Sequence, residues 1–162
     1  MQYKTPDYEK KIIKPENLNS HLKMAKRPLV FTNGCFDIIH RGHVTYLAQA
    51  KSLGNVLVVA LNTDESVRAQ GKGSDRPINN LANRMAVIAS LEMVDYVTFF
   101  NTETPLDLIL AIQPDVLVKG GDWSIEQIVG SREVLANGGT VHSIPFLYNT
   151  STTNLINQIR RI

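Results

Sequence analysis

Short apolar runs alternate along the chain with stretches whose apolar residues recur every three or four positions. The runs predict strands at Pro28–Thr32, Val56–Leu61, Tyr96–Phe100, Val116–Val118 and Thr140–Ile144. The stretches between them predict helices at Arg41–Leu53, Asp64–Ala69, Leu81–Leu91, Pro105–Ile112 and Ser131–Ala136, with a last one from about Thr152 to Arg160. Around the third of these, Ala82, Met85, Ala86, Ala89 and Met93 keep the helical spacing. Pro15-Glu16 opens a further helix, whose Leu18, Leu22 and Met24 lead toward Arg27. Residues 1–14 are polar and lysine-rich and read as an arm, so residues 1–27 form an arm and helix ahead of a single domain at 28–162.

Strand–helix alternation with nearly continuous apolar strands signals a parallel sheet covered on both faces. Right-handed crossovers make it a doubly wound α/β fold, a five-stranded sheet in a three-layer α/β/α arrangement. Such sheets bind ligands outside the carboxyl ends of their strands, where the strand order reverses. The segments to search are therefore Asn33–His40, Asn62–Asp64, Lys119–Trp123 and Pro145–Ser151, and the unusual residues collect there.

Composition narrows the functional classes. The net charge of +2 over 162 residues, with no block of like charge, argues against a nucleic-acid coat. The single cysteine, Cys35, excludes an intrachain disulfide framework and any multi-cysteine zinc site, and fits a reducing compartment. The longest apolar run, Val56–Leu61, is far too short to span a membrane. The N-terminus has no apolar signal core, so a cytoplasmic protein is expected and the sequon Asn149-Thr150-Ser151 has no bearing on glycosylation.

Two histidines, His40 and His43, bracket the start of the helix after the first strand, with Gly42 between them. A helix N-terminus offers unpaired N–H groups and partial positive charge to a phosphate. Glycine lets an anion approach the backbone, and two imidazoles add N–H donors where phosphoryl charge develops. Surface or capping histidines, or a zinc pair needing Cys35 or Asp37 as a third ligand, explain the same spacing. Neither a Walker motif nor GxGxxG occurs. Farther on, Arg68 and Lys72 lie beside or in the polar stretch GKGSDRP, which by composition reads as a mobile surface loop. Lys119-Gly120-Gly121-Asp122-Trp123 suits an ordinary turn or a close backbone approach to a ligand. Ser151-Thr152-Thr153 opens the last helix, as caps or as a second anion site.

Together these motifs carry a resemblance. His40-Arg41-Gly42-His43 matches the HxGH signature of the nucleotidyltransferase superfamily. The longer string TNGCFDIIHRGHVTYLAQAKSLG resembles its cytidylyltransferase-like branch, and more narrowly the adenylyltransferase domain of ADP-heptose synthesis. NTDESVR, the Lys72-Gly73 pair, KGGDW and STT follow that pattern over roughly residues 13–162.

The resemblance implies a Rossmann-like sheet of the nucleotidyltransferase type and transfer of AMP from ATP to a heptose 1-phosphate, with Mg²⁺ carried on the phosphates. It implies catalytic roles for His40, His43 and Lys72. Thr32, Asn33, Gly34, Cys35, Phe36, Gly42, Lys119, Gly120, Asp122, Ser151, Thr152 and Thr153 would then hold the nucleotide. Asp37, Asn62, Thr63, Arg68, Arg84 and Trp123 would face the sugar phosphate, and Arg76 would contact it or steady its loop. It further implies a homodimer, a separate heptose-phosphate kinase, and no nucleic-acid or membrane partner. Phe146 stands near the position where some cytidylyltransferases carry an arginine, which weakens the case for CTP. A cytidylyltransferase for a small phosphoalcohol and a non-catalytic nucleotide sensor are the alternatives.

Overall fold

A computed structural model describes residues 4–71, 75–148 and 150–161. Five strands form one sheet: β1 (Leu29–Gly34), β2 (Val56–Asn62), β3 (Tyr96–Phe100), β4 (Val116–Gly120) and β5 (Thr140–Ile144). Their order is β3-β2-β1-β4-β5 and every pairing is parallel. The order reverses at β1, between β2 and β4, so the loops after β1 and β4 diverge there and leave a crevice.

Period-two alternation sends each strand's side chains to two separate cores. Phe31, Val58, Ala60 and Leu117 pack on one face with Leu18, Leu22, Ile109 and Ile112. These come from helices α1 (Pro15–Leu22) and α5 (Leu106–Ile112). Val30, Leu57, Val59, Leu61 and Val118 pack on the other face with Leu47, Ala50, Ile88 and Ala89. Those belong to α2 (Arg41–Lys51) and α4 (Leu81–Ala89). The short α3 (Asp64–Ala69) follows β2, α6 (Ser131–Ala136) precedes β5, and α7 (Thr152–Ile159) ends the fold. Thr63, Asn80 and Ser151 cap α3, α4 and α7 by accepting from the amides of Ser66, Asn83 and Asn154. A cap of this kind stabilises its helix by about 1 kcal/mol.

Two sequence expectations change. Residues 12–22 are more than a polar arm and its helix: Ile13 donates its amide to Val97 O at 2.8 Å along the β3 edge, and Leu18 is fully buried. Ile12 and Ile13 were masked in the sequence by the lysines around them. Strands β1 and β4 also outrun their apolar stretches, because pairing with β2 and β5 continues through Gly34 and Gly120. Those residues therefore sit on the rigid sheet, at its carboxyl edge.

Candidate active site

Helix α2 starts at the crevice. His40 is its extended N-cap residue (φ −141°) and makes no side-chain cap bond. Its ring folds back over Gly42 instead, where an added Cβ would come within 3.0 Å of the imidazole. The space left by the missing Cβ at Gly42 is thus taken by the His40 ring. His40 and His43 then stack, ring centroids 3.8 Å apart and 29° from parallel. Phe36 meets His43 edge-on at 5.4 Å. It sits in the left-handed region (φ 46°), with its ring so close to Gly34 that a Cβ there would lie at 2.9 Å.

Both Nδ1 atoms of the histidine pair are buried without a hydrogen-bond partner among the described residues. Burial pushes the His43 imidazolium down to about 4, with His40 adding repulsion. Burial also lowers His40. Both rings are therefore neutral near pH 7, each with one N–H donor and one acceptor nitrogen.

The hydroxyl-rich turn comes to the same place. Thr150 O lies 3.9 Å from the position a Gly42 Cβ would take. Thr152 donates its hydroxyl to Ile38 O at 3.2 Å, and the Arg41 guanidinium lies 3.9 Å over the Tyr148 ring. The first and last loops are thereby tied together. Ser151 caps α7 and Thr152 braces the histidine loop, so their hydroxyls already have protein partners, while Thr153 is exposed.

Beside this pair lies a cleft of about 560 Å³. Asn33, Gly34, Cys35, Phe36 and His43 line it from β1 and α2, and Asn62 from β2. Lys119, Gly120 and Trp123 line the β4 side, where Lys119 Nζ donates to Asn33 Oδ1 at 3.3 Å and Trp123 Nε1 to Gly120 O at 3.1 Å.

Several of the residues singled out in the sequence make structural contacts. Asp37 is buried; it accepts from Arg76 Nε at 2.7 Å and from the amides of Ile78 and Asn79. Burial works to raise its carboxyl, but those two amides and the Arg76 charge outweigh it and hold the carboxyl below its usual value. Arg84 is 1% exposed and donates to Asp64, Cys35 O and Asn79 O. Neither is among the residues lining the cleft; both form a buried brace between residues 35–37 and 76–84. Thr32 is buried too, with its hydroxyl 2.5 Å from Tyr46 Oη. Thr63 caps α3 and bonds Asn101. Arg68 and Asp122 are exposed and lie outside the cleft lining. Lys72 lies outside the described residues.

The cleft also includes Phe146 and residues that the sequence did not single out: Tyr46, Gln70, Glu103, Thr104, Pro105, Gln127, Ile128 and Val129. The parallel topology held the available signal, since the loop after β3 opens on the same edge as the others. Phe146 packs on Gly120, where a Cβ would meet its ring at 2.9 Å. For the zinc reading a third ligand is missing: no three His, Cys, Asp or Glu side chains converge among the described residues, and Cys35 Sγ faces Gln70 and Asn62.

Comparison with known proteins agrees with this geometry. The cytidylyltransferase-like family model matches residues 31–158. The D-beta-D-heptose 1-phosphate adenylyltransferase of Bordetella bronchiseptica is 50% identical over 156 residues, covering 95% of this chain and 96% of that protein. The bifunctional protein HldE of Actinobacillus succinogenes is 52% identical over 92% of this chain, which spans only 32% of that protein. Among solved structures, the lipopolysaccharide core biosynthesis protein from Thermoplasma volcanium superimposes with a TM-score of 0.60 at 28% identity, over 75% of this chain and 98% of that one. The pantothenate synthetase from Thermus thermophilus does so with 0.63 at 16%, over 90% and 67%, and bears on the fold alone.

Proposed function

The chain belongs to the cytidylyltransferase-like family of nucleotidyltransferases, and on that premise we propose that it transfers AMP from ATP to a heptose 1-phosphate, releasing ADP-heptose and pyrophosphate. The observation that carries this reading is the stacked His40–His43 pair, its Nδ1 atoms buried and unpartnered at a helix start beside the cleft. Identity to the Bordetella adenylyltransferase over nearly the whole of both chains supports ATP and a heptose 1-phosphate as the substrates.

In this reaction an oxygen of the sugar phosphate attacks the α-phosphorus of ATP in line. The bond from that phosphorus to the bridging oxygen breaks, and pyrophosphate leaves with the electron pair. The nucleophile is already an anion, so the protein's work is to hold two polyanions together and absorb charge at the α-phosphate. His40 and His43 donate N–H groups to the α-phosphate and bridging oxygen. Lys119 and the start of α7 face the nucleotide, and Lys72 holds the leaving pyrophosphate. Mg²⁺ would arrive on the triphosphate with most of its waters and needs few protein ligands. The same reading carries over a homodimer, a cytoplasmic setting and a separate kinase that phosphorylates the heptose.

The test is pyrophosphate release from heptose 1-phosphate with ATP and with CTP. Turnover with ATP at least tenfold above CTP is expected. A preference for CTP, or no release with either, contradicts the assignment.

A further inference from the structure

The cleft changes character across the sheet. Toward β4 and β5 it is aromatic and aliphatic, with Trp123, Phe146, Ile128 and Val129. Toward β2 and β3 it is lined by amides, a hydroxyl and a carboxylate: Asn62, Gln70, Glu103 and Thr104. The histidine pair stands between, at β1. Beyond the polar side lies a second cavity of about 370 Å³ that shares Gln70 and Glu103 with the first. Glu65, Ser66, Asn101 and Thr102 complete its polar lining, and among the described residues no lysine, arginine or histidine lines it.

We propose that this second cavity receives the uncharged, hydroxyl-bearing carbon chain of the acceptor, and that Gln70 and Glu103, common to both cavities, select for it. This inference rests on the adenylyltransferase reading. A reaction centred on the histidine pair needs its two substrates on opposite sides. A planar, largely apolar base suits the aromatic side, which leaves the β2–β3 side to the acceptor. The lining then decides which part of the acceptor enters. The Glu65 and Glu103 carboxylates, with no cation beside them among the described lining residues, disfavour a phosphate there, whereas carboxylates, amides and hydroxyls accept from and donate to sugar hydroxyls. The acceptor's phosphate therefore points toward the histidines and its polyol chain away from them. Cys35 Sγ donates to Gln70 Oε1 at 3.3 Å, which leaves the Gln70 amide –NH₂ as the donor toward the acceptor.

The experiment is steady-state kinetics of the full chain with heptose 1-phosphate and ATP varied in turn, for wild type, Glu103→Gln, Gln70→Ala and Ala69→Phe. Ala69 is exposed and lines the second cavity, so phenylalanine there fills it. Each variant is expected to raise KM for heptose 1-phosphate roughly tenfold, the worth of one hydrogen bond to a charged group, with KM for ATP within about twofold. All the sites are exposed, so an unchanged melting temperature checks the fold. Wild-type turnover with an unmoved heptose 1-phosphate KM in the variants, or with equal rises for ATP, overturns the inference while leaving the function standing. A wild type inactive on heptose 1-phosphate with ATP sinks the function and the inference with it.

Discussion

Asp37, in the loop after β1, and His43, in the first turn of α2, are six residues apart, and the fold treats them in opposite ways. Asp37 accepts three hydrogen bonds, and Arg84 behind the same loop donates three. His43 and its partner His40 have Nδ1 atoms that are equally enclosed and bond to nothing among the described residues. Buried polar groups in folded proteins are nearly always satisfied, so this pair at a helix start beside the cleft calls for an explanation, and a bound anion is the one the proposed function supplies. The satisfied region holds the loop in shape; the unsatisfied region is what the loop is shaped to present.

Substitutions should separate the two regions. The largest effect belongs to the brace. Asp37→Ala strands the buried Arg76 guanidinium and two amides, and Arg84→Ala strands Asp64 and two carbonyls. Each should cost about 3–5 kcal/mol in urea unfolding. A loss under 1 kcal/mol for both would mean that these residues are spare binding groups after all.

The histidine pair should behave the other way. His40→Ala and His43→Ala should each lower kcat by roughly 10- to 100-fold, the worth of a charge-assisted hydrogen bond of about 1.5–3 kcal/mol. Stability should hold or rise slightly, because an enclosed unpaired nitrogen is removed. Near-normal turnover in both variants would erase the distinction.

Acid stability sharpens it further. His43 binds its proton at about 4 when folded, against 6.5 for the ordinary side chain. Between those values the unfolded chain holds more protons, so the native state loses stability as pH falls from 6.5 toward 4. The loss should be on the order of 2 kcal/mol. His43→Ala should remove most of that slope in denaturation curves taken across the window. Smallest is Thr152→Val, which removes the bond to Ile38 O and should cost about 1 kcal/mol in the same assay.

The sequence made the sheet legible because burial on both faces forces long apolar runs, and helical periodicity marked what lies between them. Ile12 and Ile13 escaped because two apolar residues among lysines carry no period. The motif residues were legible as a group, and the histidine pair and hydroxyl turn do meet. Their division of labour was not legible. Asp37 reads as a sugar-pocket residue and Arg84 as a phosphate contact in one dimension, and only the positions of Arg76, Asp64 and the amides of Ile78 and Asn79 show the protein partners each has. Gln70 and Glu103 were invisible for a different reason. They belong to no motif, and parallel pairing alone brings the ends of β2 and β3 to the cleft.

The central claim is that His40 and His43 are held neutral and unpartnered until an anion reaches them. Nitrogen chemical shifts of the two imidazoles, followed by NMR from pH 4 to 8 with and without a non-hydrolysable ATP analogue, test it most directly. The account predicts that in the unliganded protein His43 stays neutral down to about pH 4, and that the analogue raises its titration midpoint and shifts both rings. Titration of both histidines near 6.5, unmoved by the analogue, would contradict it.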